Sequence, residues 1–129
     1  MSRMIFIALN VDDVDRSVSF YEQAFGLDLH RDANEPQDDV WIGGYHAATS
    51  WTAGAFLHFA LFPARLPERP VSKDVQIGFS VDDIGAAHAR AVASGAFVMH
   101  GPRTEPWGAT ARYRDPDGNL VSVTQPSRG

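Results

Sequence analysis

Apolar and polar residues alternate along residues 5–11, with Ile7, Leu9 and Val11 on one side. A period of two predicts a strand with one buried face. The pattern then changes. After Asp12-Asp13, the residues Val14, Val18, Tyr21 and Phe25 recur at helical spacing and stop at Gly26. The paired acids suit a helix start, because a carboxylate can cap free N–H groups and meets the positive end of the helix dipole. Glycine suits the stop, where the chain turns left-handed. The same order returns later. Ile77, Phe79 and Val81 alternate, Asp82-Asp83 follow, and Ile84, Ala87, Ala91 and Val92 recur at helical spacing before Gly95. Residues 5–27 and 75–97 therefore form an internal repeat, in register at Ile7/Ile77, Leu9/Phe79, Val11/Val81 and Val14/Ile84.

Each helix is followed by short apolar runs that predict strands, at 28–32, 40–44 and 55–62, then at 96–100, 109–114 and 120–125. The stretch HAATSWTAG is expected to be a loop with room for an extra strand. Asp115-Pro116-Asp117-Gly118-Asn119 is dense in turn chemistry. Residues 63–73 are proline-rich and polar, which predicts a linker. The expected fold class is α+β, built from two βαβββ modules, residues 1–62 and 74–129, joined by that linker. Neither half can cover its own sheet, so the halves are expected to pack together.

Composition removes several functions. The 129 residues carry a formal charge of -5 and no run of Lys or Arg, which argues against a nucleic-acid partner. The absence of cysteine excludes disulfides, thiolate metal sites and a cysteine nucleophile. The apolar N-terminal stretch is too short to span a membrane and lacks a signal-peptide pattern, so a soluble, cytoplasmic protein without a membrane partner is expected.

The opening strand and helix with FYEQAFGL, its echo in GFSVDDI and ASG, then PWG and DPDGNLVSV, resemble the vicinal oxygen chelate superfamily. That superfamily includes glyoxalase I, extradiol dioxygenases and bleomycin-resistance proteins. The resemblance covers nearly the whole chain. It implies a curled mixed sheet around a shared cleft and a homodimer, with modules paired within a chain or exchanged between chains. It also implies four metal-ligand positions on the cleft face, which fall here on Phe6, His58, Gln76 and Ser122. The usual histidine is replaced by Phe6 and the usual glutamate by Ser122. One imidazole, one amide, one hydroxyl and one phenyl ring make a poor divalent-ion site. No metal and no cofactor are expected, the alternative being a divalent metal held by displaced ligands.

His58 has two readings: polar satisfaction inside the cleft, bonded to Gln76 or Ser122, or a candidate general base. His30, His46 and His100 fall at expected strand ends or loops, and His88 on a helix surface. Trp51 and Trp107 fall in expected loops, where indoles suit stacking on aromatic or cationic ligands. The expected ligand-binding set is Phe6, Phe56, His58, Gln76, Ser122, Trp51 and Trp107. The resemblance then implies a metal-free small-molecule binding protein that sequesters an aromatic or cationic antibiotic or metabolite. The alternative is a superfamily enzyme, a glyoxalase-like lyase or isomerase or a dioxygenase, with displaced metal ligands or with His58 as base.

Overall fold

A computed structural model of the chain describes residues 4, 6–31, 43–50 and 56–127, with backbone only at 48–50 and 56. The first half runs β1 (Phe6–Val11), α1 (Val14–Phe25), β2 (His30–Arg31), β3 (Tyr45–Ser50) and β4 (Phe56–Pro63). The second runs β5 (Gln76–Ser80), α2 (Ile84–Ala93), β6 (Phe97–Glu105), β7 (Gly108–Arg114) and β8 (Leu120–Pro126). The βαβββ order thus occurs twice. It forms two four-stranded mixed sheets, β1-β4-β3-β2 and β5-β8-β7-β6. In each, the first strand runs parallel to the last and the other pairs are antiparallel.

The paired acids start the helices as expected. Arg16 N donates to Asp13 Oδ1 at 3.1 Å, and Ala86 N donates to Asp83 Oδ1 at 3.0 Å. Gly26 ends α1 at φ 71°, while α2 ends on Ser94 with Gly95 one residue beyond. Strand alternation also holds. Leu9, Val11, Phe59, Leu61, Tyr113, Val121 and Val123 are buried in one core, with Ile7, Ile77, Phe79 and Val81 packed against it. The helices contribute Phe20, Tyr21 and Ala24 from α1, and Ile84 and Ala91 from α2. Val92, placed on the buried face by spacing alone, is 51% exposed. Its neighbour Ala91 takes the core position one residue earlier.

The two halves are held together through α1. Phe25 stacks on Phe79 with ring centroids 5.0 Å apart. Tyr21 Oη donates to Asp115 Oδ2 at 2.7 Å, and Arg16 Nη2 donates to Asp117 Oδ1 at 3.2 Å. Both acids belong to the β7–β8 turn. Asp115 Oδ1 also accepts from Asp117 N and Asn119 N, each at 2.9 Å, so one carboxylate both shapes the turn and clasps the helix. Burial, and then the Asp115 charge, push the Tyr21 phenol well above its ordinary pKa. Burial and Asp115 also raise Asp117, against the opposing pull of the Asp12 backbone and Arg16.

Three expected strands shift. The predicted strand at 40–44 lies partly outside the described residues, Gly43 and Gly44 are in no strand, and β3 occupies Tyr45–Ser50 instead. The two alanines, His46 and Ser50 give the segment no clear apolar alternation of its own. Pairing with β4, from Tyr45↔Leu61 to Ser50↔Phe56, decides the conformation. Among the residues expected at 28–32, only His30–Arg31 are strand. β6 continues past the expected end at His100, through Gly101-Pro102, with register shifts on either side of His100. An edge strand tolerates proline and bulges of this kind.

Candidate functional site

Side chains that point away from the core occupy the opposite face of each sheet. On the first sheet this face carries Phe6 and His58, which are direct partners in the β1–β4 register. Their rings stack with centroids 5.7 Å apart, and Phe62 adjoins Phe6. His46 of β3 lies on the same face. Its Nδ1 is 3.1 Å from His58 Nε2, a hydrogen bond in which one ring donates and the other accepts. His58 was expected to bond Gln76 or Ser122, and His46 takes that place. The stretch HAATSWTAG, expected as a loop with room for a strand, supplies β3 as far as Ser50, and this brings His46 onto the face. The cross-strand pairing Ala48↔His58, which sets His46 diagonally beside His58, was the signal that sequence alone did not supply.

On the second sheet the outward face carries Gln76, Ser122 and Thr124. Gln76 is exposed, and Ser122 is half-buried, with Oγ 3.5 Å from the Ile77 carbonyl. Neighbouring strands extend this face in two rows. His100, Arg112 and Ser122 are in line across β6, β7 and β8, followed by Arg103, Thr110 and Thr124. Trp107, in the β6–β7 connection, is 60% exposed. These side chains line a cavity of about 380 Å³. From the predicted set, it takes Ser122 and Trp107; Phe6, His58 and Gln76 are not in its lining. Arg103, Arg112 and His100 were not predicted to belong to a site. Arg112 follows Thr110 by two residues along β7, but the alignment of His100 and Arg103 with them depends on β6 bulges that the sequence does not announce.

Trp41 and Trp51 lie outside the described residues, as does the side chain of Phe56. His30 is exposed and pairs with Asp28 Oδ1 at 2.9 Å. His88 is not a free surface group, since its Nδ1 lies 2.7 Å from the buried Tyr113 hydroxyl. Burial raises the pKa of that tyrosine.

The sequence profile of the Glyoxalase/Bleomycin resistance protein/Dioxygenase superfamily matches residues 3–123. The chain belongs to this superfamily. Among curated superfamily relatives, an uncharacterized protein of Pseudomonas aeruginosa is 33% identical over 128 residues, covering 92% of this chain and 84% of that one. A probable lactoylglutathione lyase of Vibrio cholerae is 27% identical over 125 residues, covering 95% and 90%. Among solved structures, TnmS3, an antibiotic binding protein from Streptomyces sp. CB03234, superposes with a TM-score of 0.70 at 29% identity over 98% of both chains. A superfamily member from Sphaerobacter thermophilus shares the fold, with a TM-score of 0.72 at 20% identity over 97% and 98% of the chains.

The superfamily's metal chemistry finds a poor donor set here. Phe6 puts a phenyl ring against the imidazole of His58, His46 adds a second imidazole but no carboxylate, and Ser122, on the other sheet, offers a neutral hydroxyl. Among the described residues, no three His, Cys, Asp or Glu side chains are grouped to hold an ion. No metal-dependent step follows from these residues.

Proposed function

We propose that the protein binds a planar aromatic small molecule, an antibiotic or other secondary metabolite, without a metal and without transforming it. The observation that carries this is the exposed indole of Trp107 beside a cavity lined by Ser122, Thr110 and Thr124 hydroxyls. An exposed indole offers a flat apolar surface, and hydroxyls can bond the polar edge of a ring system. The likeness to an antibiotic binding protein supports the same reading. The two guanidiniums of this face count against the cationic alternative. The proposal includes a homodimer, to be checked by sedimentation velocity.

The competing reading is an enzyme that uses His58 as base, and the relation to a probable lyase supports it. Among the described residues, the side chain that orients His58 is another imidazole, that of His46, and no carboxylate bonds it. The test is titration of aromatic antibiotics by calorimetry, followed by mass spectrometry of the recovered compound and metal analysis of the protein. Recovery of unchanged compound, with binding several-fold weaker in Trp107→Ala, is the expected result. Turnover that disappears in His58→Ala would transfer the function to the enzyme reading.

A further inference from the structure

The overall charge of -5 does not extend to the cavity, where two guanidiniums stand against one carboxylate. That carboxylate is already engaged, because Arg103 Nε donates to Glu105 Oε1 at 2.8 Å. Arg112 lies between His100 and Ser122 in the cross-strand row. Among the described residues its guanidinium has no hydrogen bond or ion pair, although its backbone is paired on both sides. His100 Nδ1 donates to the Gly101 carbonyl at 2.9 Å, which leaves its Nε2 for the cavity side or for solvent. Solvated arginines are common, and an unpaired guanidinium alone identifies nothing. Here it coincides with a concave surface, an exposed indole and hydroxyls that can all donate.

We infer that the ligand of this cavity carries a carboxylate, held by Arg112 with support from Arg103, while its ring system lies on Trp107. Guanidinium and carboxylate match in a two-pronged geometry that a lysine or a hydroxyl cannot reproduce. The inference rests on the binding function proposed above and narrows its ligand to aromatic acids.

The test compares three probes of one shape, 2-naphthoate, 2-naphthamide and 2-naphthylmethylammonium, by calorimetry on the full chain. The acid is expected to bind about tenfold or more tighter than the amide, since bonds to charged groups are roughly twice as strong as neutral ones. The ammonium is expected to bind least. Arg112→Gln should remove most of the acid's advantage over the amide, Arg112→Lys should retain more of it, and Arg103→Gln should show a smaller loss. Equal affinity for all three probes, weakened throughout by Trp107→Ala, would overturn the carboxylate and leave the aromatic-binding function standing. Tighter binding of the ammonium would overturn it too. Binding of none of the three would remove both proposals. Circular dichroism of each variant separates lost binding from lost folding.

Discussion

The Tyr21–Asp115 bond concentrates much of the fold in one contact. The phenol is fully buried, and the carboxylate that accepts its hydrogen bond also accepts from two backbone N–H groups of the turn. Tyr21→Phe keeps the ring and deletes the donor. It is expected to cost about 1.5–3 kcal/mol, the range for a hydrogen bond to a charged group, as measured by urea denaturation. Asp117 gives a pH test. Its folded pKa is raised, so the stability it contributes is fully present below its unfolded pKa and is lost as pH rises through the folded value. Asp117→Asn removes that loss, so the variant should gain on the parent in denaturation midpoint as pH rises from below the ordinary carboxylate range toward neutrality. The Arg16 partner is 47% exposed, and an ion pair of that kind offsets little. A variant that falls behind the parent over this range would show the ion pair to dominate. Both acids were legible in the sequence as turn residues. Their grip on a helix of the other half was not, because about a hundred residues separate the partners.

Among elements, strong periodicity was read well and weak propensity was not. β1, α1, β5, α2 and β8 follow from their alternation or helical spacing. β3 has the composition YHAATS and exists through pairing with β4. Expecting a loop with room for a strand there concealed His46, and underestimating β6 concealed Arg103. The β6–β7 connection supplies a further prediction. Gly108 has φ 141°, and a Cβ there would overlap the Gln125 carbonyl oxygen and lie 2.9 Å from Ser127 N. Those atoms are backbone of the adjoining strand end, where Ser127 N donates to the Trp107 carbonyl at 3.1 Å. Gly108→Ala is therefore expected to lose about 1–3 kcal/mol through overpacking and to weaken ligand binding by displacing Trp107. A stable variant with unchanged affinity would show that the end of β8 yields freely.

At the scale of the whole molecule, the repeat predicted two halves, and a single core joins them through α1 and α2. Phe25, stacked on Phe79 and tilted against Tyr113, spans that junction. Phe25→Ala should cost about 3 kcal/mol, the lower end for such a truncation because the ring is only partly buried. Tryptophan fluorescence and far-ultraviolet dichroism should nevertheless report one coincident transition in the parent and in the variant. Separate transitions would mean that each half folds alone. The alternation along β7 and β8 has another consequence. Ala111, Tyr113, Val121 and Val123 hold the core, while the side chains of Thr110, Arg112, Ser122 and Thr124 line the cavity. Neighbouring letters of the chain thus answer to separate selective demands. A saturation library over residues 109–124 should show a striped tolerance map across these strands, with folding lost at one parity and ligand preference changed at the other. Such a sheet can exchange one recognition surface for another in single steps while its interior stays fixed, giving a lineage access to new chemicals without a new fold.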